Sequence, residues 1–474
     1  MVPTGRRTSR LARMAAVWRD QSAASPLIAQ AAGAQPDQGD VPLLSRKLVL
    51  LFVICAAAAL APAAHAAPRL RQSDGGPRYY ARFSHALPSN PRYFPVGVWF
   101  ENAETRNEIR LDKQAGLNLY VGVACPECAN EKLIGANRMR AIIQSDERTR
   151  FDDVGRETAG WLLQDEIDMT DGPPGGDGFN IVQRILGALP ADGRLRYNNY
   201  GKGVLLWEDD PWPAQWVNAY QQVVTSDLYW FTDPNQIDMI APPWLPERGH
   251  HMTLSQVRRA ANYGYQIDRM RALDRADGRR KPIWAFVEVG WPFTESAAQG
   301  TRYIRPAEIR AAVWHSLIAG ARGVVYFNHS FGGPEDCQTQ HVLRDVGCYA
   351  PVRAMVKAVN RQIKRLAPVL NARTVVSGWR SGSSIRAMVK WHRGRFYVFA
   401  GSRENRPSIG RFSMRCIGKA RAVRLGEAGS VPVRRGSFSD SFADGNAIHI
   451  YRIRGGSKCG LARRRGVSHH GARD

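Results

Sequence analysis

The chain has 474 residues, 44% of them hydrophobic, with 66 Lys and Arg against 42 Asp and Glu and a formal net charge of +24. This is too long for a disulfide-stapled mini-protein and too apolar for a disordered chain, and it suits one large domain with a smaller companion. The basic excess invites a nucleic-acid reading, because neutralised phosphates release counterions. It is scattered, however: its clearest cluster is the tail Arg463, Arg464, Arg465, and neither zinc-finger spacing nor a helix-turn-helix pattern occurs. The expectation is no nucleic-acid partner, and at most weak contact with anionic envelope polymers through the basic surface.

Residues 46–66 form the first element. Arg46 and Lys47 precede an apolar run from Leu48 to Leu60, and Ala64-His65-Ala66 supplies a small-x-small cleavage pattern. The run is shorter than the roughly 20 residues that span a bilayer, so the reading is a secretory signal removed after Ala66. Residues 1–45 read as an over-extended start. The expected location is secreted or periplasmic. Cys55 lies inside the signal, leaving Cys125, Cys128, Cys337, Cys348, Cys416 and Cys459. An even count in an exported chain suits three disulfides, with sequence-order pairing one of fifteen possible connectivities.

Eight apolar runs follow, at 95–100, 117–124, 140–146, 160–168, 194–201, 226–233, 282–290 and 323–330. Helix-like segments lie between them, as at 106–115, 179–189, 254–273 and 305–319. Near-continuous apolar strands alternating with helices indicate a parallel sheet buried on both faces. Eight such units within about 250 residues fit an α/β fold of the closed (β/α)8 type, a TIM barrel, over 93–367. Residues 368–455 then carry short alternating strands, expected as a small antiparallel β-sandwich, and 456–474 form a basic tail expected to be disordered.

The strands change character at their C-terminal ends. Apolar residues give way to Glu101 and Asn102, to Asp165, Glu166 and Asp168, to Asn198 and Asn199, to Tyr229 and Asp233, to Glu288, and to Asn328 and His329. That is the face on which a barrel builds its active site. Glu166 ends the fourth run and Glu288 the seventh, so a closed cylinder sets them across one mouth. Two carboxyl groups about 5–5.5 Å apart are what retaining glycoside hydrolysis requires. Each also has a plainer reading, as a solvated loop residue. Asp165 and Asp168 could equally cap the next helix.

The segments 160–168 (GWLLQDEID) and 284–291 (WAFVEVGW) resemble the clan A glycoside hydrolases, retaining (β/α)8 enzymes. The likeness spans roughly 93–335. It implies Glu166 as acid/base, Glu288 as nucleophile and Tyr229 as the tyrosine that hydrogen-bonds the nucleophile. The clan usually has Asn before the acid/base, where this chain has Asp165, a charge that would raise the acid's pKa. Trp99, Asp165, Asn198, Trp291 and Asn328 complete the expected substrate contacts, and the loop Trp207–Trp212 suits a substrate-binding flap. The implied substrate is a poly- or oligosaccharide. No metal-ligand spacing, phosphate loop or dinucleotide fingerprint occurs, so no metal and no cofactor are expected. The alternative is a carbohydrate-binding or envelope protein on a degenerate barrel.

Overall fold

The structure is a computed structural model and describes residues 67–123, 129–146, 149, 151–295, 297–415, 417–455 and 461. The expected signal segment, Cys125, Cys128, Cys416, Cys459 and nearly all of the tail lie outside these residues. Of the expected disulfides, Cys337–Cys348 is present, with its Cα atoms 5.7 Å apart.

Eight parallel strands make the barrel: β1 (Val96–Trp99), β2 (Leu119–Val123), β3 (Arg140–Gln144), β4 (Thr158–Asp165), β5 (Leu195–Tyr200), β6 (Val223–Ser226), β7 (Ala285–Glu288) and β8 (Val324–Phe327). Their order is β6-β5-β4-β3-β2-β1-β8-β7. A parallel bridge between Val224 and Ile283 and a bond from Trp284 N–H to the Val224 carbonyl (2.9 Å) close the ring. The helices between them are α1 (Arg106–Ala115), α2 (Ala129–Ala136), α3 (Ile167–Thr170), α4 (Gly178–Ala188), α5 (Pro211–Ala219), α6 (Leu254–Val257), α7 (Ala261–Asp274) and α8 (Pro306–Ala319). The start of α1 shows why such segments are helical: Thr105 and Glu108 form a capping box, and Gly116 ends the helix in the left-handed region.

Alternate side chains of each strand divide two cores. Trp99, Val121, Ile142, Leu162, Tyr197, Val223, Trp284, Phe286 and Val325 fill the barrel, while Val98, Tyr120, Ile143, Trp161, Val287 and Tyr326 pack outward against the helices. Tyr79 and Tyr80, which precede the first strand, join the inner core; Tyr80 Oη accepts the Trp284 indole N–H at 2.9 Å.

Two elements depart from expectation. The sixth strand is Val223–Ser226 rather than 226–233. Its three β-branched residues suit the barrel wall, whereas Tyr229, Trp230 and Phe231 leave in different directions through tight turns closed by Thr232 N–H and Asp233 N–H on the Tyr229 carbonyl (3.1 and 2.9 Å). The helix expected at 254–273 breaks into α6 and α7. Asn262 there turns its amide back onto the carbonyls of Gln256 and Val257, at 2.8 and 2.9 Å, and so ends the first piece.

Beyond the barrel, α9 (Ala350–Leu370) leads into nine strands: β9 (Arg373–Val375), β10 (Trp379–Ser381), β11 (Ile385–His392), β12 (Arg395–Ser402), β13 (Ser408–Met414), β14 (Ala420–Arg424), β15 (Ser430–Val433), β16 (Ser437–Phe442) and β17 (Ile448–Arg454). All pair antiparallel. One sheet holds β9-β11-β12-β17-β14-β15, with Leu70–Arg71 added at its β9 edge, and a second holds β10-β13-β16. Helix α8 lies under β11 and β12 and is buried all round, with Trp314 stacked on Phe399. A helix with core on both sides has no polar stripe.

Candidate active site

The polar strand ends collect at the C-terminal mouth, and they fall into three groups. The first surrounds Glu166, just past β4. Its backbone is left-handed (φ 47°), a conformation that strains a residue with a Cβ, and its N–H donates to the Asn199 carbonyl at 3.1 Å. Gly201, on the next strand's loop, leaves the room that Glu166 uses; a Cβ there would lie 3.1 Å from Oε1 and 2.2 Å from Met169 Sδ. Asp165 is held by Asn199 Nδ2 at 2.9 Å. Asp168 is almost wholly buried. It accepts from Gly201 N–H (3.0 Å) and Val204 N–H (2.7 Å), so it fixes the turn after β5 rather than capping its own helix. Asp227, just past β6, faces Glu166 so closely that the two carboxyls interact directly, and Tyr229 Oη donates to Asp227 Oδ2 at 3.1 Å.

Four carboxyl groups thus crowd one corner, with Lys202 the cation acting on Glu166. Lys202 is itself paired to Asp233 at 2.7 Å. Burial, then the charges of Asp165 and Asp168, push the Glu166 carboxyl up to about 8. Burial lifts Asp165 and Asp168 to about 6, and burial with the adjacent Glu166 holds Asp227 well above the usual carboxylate range. A carboxylic acid that keeps its proton near neutrality can serve as a general acid.

The second group is Glu288. The register of β7 pairs it with Phe327 and sets it on the same face as Trp284 and Phe286, toward the barrel interior. It is fully buried beneath the turn 229–233. Oε1 accepts from Phe231 N–H (3.3 Å) and Thr232 Oγ1 (3.5 Å), while Tyr263 of α7 donates to Oε2. Burial raises its pKa to about 7, against the pull of these donors. The tyrosine on this carboxylate is therefore Tyr263, not Tyr229 as expected; Tyr229 is engaged with Asp227.

The third group joins β1 to β8. Glu101, fully buried, receives His341 Nδ1 (2.7 Å), Arg344 Nη1 (2.9 Å) and the Asn328 amide. Arg344 also reaches Asp112 at 2.7 Å. Asn328 is thus bound into a structural network and is not free for a ligand. Trp99 is corrected likewise. It is 2% exposed, stacked on Phe100 at 4.5 Å and edge-on to Phe286 at 5.2 Å, so its faces are spent on core packing. Asn198 is buried and its side-chain oxygen accepts Gln164 N–H at 2.9 Å, which makes it a strand-locking residue. Trp291 packs edge-on to Tyr303 at 4.9 Å, its main chain bonded to Ser330, Phe331 and Gly332.

Ring faces are offered to solvent elsewhere at the mouth. Tyr229 packs edge-on to Phe293 and Phe327 (5.5 and 5.2 Å), and the row continues through His329 to Phe331, which is 41% exposed. In the segment after β5, Trp207 is 43% exposed, while Trp212 is tied by its indole N–H to the Gly172 carbonyl at 2.6 Å. Sequence reasoning missed Asp227, Tyr263 and Phe331. The first could have been found had the sixth strand been ended at Ser226, seven residues earlier.

No protein-family model and no curated protein sequence matches this chain. Solved structures that are similar in course include an alpha-amylase from Geobacillus thermoleovorans complexed with acarbose (9% identity over 76% of this chain and 98% of that one, TM-score 0.44). A maltogenic alpha-amylase from Thermotoga neapolitana aligns at 10% identity over 77% and 99%, TM-score 0.45. A GH30 endoxylanase from Clostridium papyrosolvens aligns at 9% over 82% and 98%, TM-score 0.38. The barrel assignment rests on the strand order itself.

Proposed function

We propose that the protein is an exported retaining glycoside hydrolase acting on a poly- or oligosaccharide. The observation that carries this reading is the placement of Glu166, among three other carboxyls, and of a donor-braced Glu288 at the ends of the fourth and seventh strands of one closed barrel. In the first step a carboxylate oxygen of Glu288 attacks the anomeric carbon, the glycosidic C–O bond breaks, and the Glu166 proton passes to the leaving oxygen. In the second, Glu166 takes a proton from water, the water oxygen attacks the anomeric carbon, and the ester to Glu288 is released. Tyr263, Phe231 N–H and Thr232 favour the ionised form that attack requires. Because Phe231 and Thr232 lie over Glu288, sugar contact requires the turn 229–233 to lift. Phe331 and Trp207 are the exposed rings that a sugar face could stack on. Export is inferred from the pattern at 46–66.

One observation favours a second reading, carbohydrate binding without turnover on a degenerate barrel: Glu288 exposes no surface. A 2-fluoro glycoside series decides between the two. The hydrolase forms a covalent adduct on Glu288, visible by mass spectrometry of the digested protein, and releases reducing ends from a polysaccharide panel. Sugar binding with neither adduct nor new reducing ends overturns the hydrolase.

A further inference from the structure

A cavity of about 840 Å³ lies between the barrel's loop after β6 and the sandwich, away from the carboxyl cluster. Its barrel wall includes Trp244, Glu247, Arg259 and Tyr265, and its sandwich wall is Ser383 with residues 403–406. The two walls are fastened together. Asn405 of the sandwich donates its amide to the Ser255 carbonyl (2.7 Å) and the Arg258 carbonyl (3.1 Å) of the barrel. The volume falls within the range of small-ligand sites, about 300–1,000 Å³.

Four arginines, Arg248, Arg259, Arg403 and Arg406, line the cavity against two carboxylates, Glu247 and Glu404, and Arg386 lies behind the Tyr265 wall. Three guanidinium groups converge on the Tyr265 ring: Arg386 at 4.5 Å, and Arg259 and Arg403 at 5.9 Å each. Arg259 is matched by Glu247 in a bidentate pair (2.8 and 2.9 Å), and Arg386 by Asp268. Arg403 lines the cavity with no carboxylate partner among the described residues. Its Nε is buried without an acceptor, as are Nε and Nη2 of Arg386, which is 6% exposed. Buried donors without acceptors are costly, and a planar guanidinium fork matches a carboxylate or sulfate. The field is felt nearby: burial and these three arginines hold His315 neutral, its pKa pushed down to about 3.

We infer that this cavity is a second carbohydrate site, taking an acidic saccharide whose carboxylate or sulfate engages Arg403. The occupant is taken as a saccharide because the proposed hydrolase reading makes an oligo- or polysaccharide the ligand of this chain; that step rests on the hydrolase reading. Binding at the cavity holds an acidic polymer against the barrel rim and does no chemistry.

The test is calorimetric titration of the full chain with trigalacturonate, with maltotriose and sodium sulfate as separate arms, so that binding is read apart from turnover. Trigalacturonate saturates, maltotriose does not, and Arg403→Ala weakens binding about tenfold or more, the scale of a lost charged hydrogen bond. Should Arg403→Ala unfold, Arg248→Ala, an exposed lining residue, weakens it by a smaller factor. Weak saturation by sulfate alongside trigalacturonate supports the oxyanion contact. No saturable trigalacturonate binding, equal binding of maltotriose, or binding indifferent to both substitutions overturns the site. Trigalacturonate binding with no adduct on Glu288 and no reducing ends released across the polysaccharide panel leaves the site standing and removes the hydrolase; hydrolysis of a panel substrate without that binding does the reverse.

Discussion

Two corners of the same mouth bury carboxylates in opposite ways. At β8 and β1, Glu101 lies against Arg344, His341 and Asn328, so positive charge and donors answer its burial. At β4 to β6, Glu166 and Asp227 lie against one another and against Asp165, with Lys202 alone acting from the cationic side. Burial raises the pKa in both corners, but Glu101 exposes no surface, whereas Glu166, raised to about 8, keeps some through which a proton can be delivered. A polar strand end thus signals function when its neighbours fail to satisfy it.

Substitutions separate the two corners, and the largest effect is expected on turnover. Glu166→Gln and Glu288→Gln each lower kcat by about 10² to 10⁴-fold on the substrate found by the panel, with circular dichroism unchanged. Arg344→Ala takes the guanidinium from both Glu101 and Asp112, leaving Glu101 only His341 and Asn328, and costs about 3 kcal/mol in chemical denaturation, with loss of stability before any specific loss of catalysis. Tyr263→Phe removes a donor from Glu288. It lowers kcat by about tenfold and moves the acid limb of the rate profile to higher pH, because the donor had favoured the ionised form.

The profile itself is a bell. Its acid limb reports ionisation of Glu288, raised to about 7, and its alkaline limb deprotonation of Glu166, raised to about 8. Asp165→Asn takes away a charge that lifts Glu166, so the alkaline limb shifts to lower pH while the acid limb stays. The smallest effect is on stability. A carboxyl raised in the fold binds more protons folded than unfolded between about 4.5 and 8, so it lowers stability as pH rises through that window. Glu166→Gln therefore melts a few degrees above wild type at pH 8 and together with it at pH 4, by calorimetry.

The barrel was legible in the chain because eight apolar runs, each buried on both faces, leave few other arrangements. Glu166 and Glu288 were legible as the points where two of those runs turn acidic. What escaped depended on direction in space. The run at 226–233 is the most aromatic of the eight, yet its rings leave by three routes, which a one-dimensional pattern cannot separate from a strand. Trp99 and Asn328 read as ligand contacts by type, but the barrel interior consumes the first and Glu101 the second. In the sandwich, β16 carries the strict alternation expected there, with Phe438, Asp440 and Phe442 buried and the three serines outward. Tyr263 gave no signal at all, since a helix residue reaches Glu288 only once α7 is docked.

The left-handed backbone at Glu166 sets conformational cost against chemistry. Glycine or asparagine would sit there at less conformational cost, and either would also dissolve the crowding of acids around it. A laboratory screen for heat resistance, blind to turnover, would rewrite this position among the first. Glutamate held in so unfavourable a posture serves something other than durability.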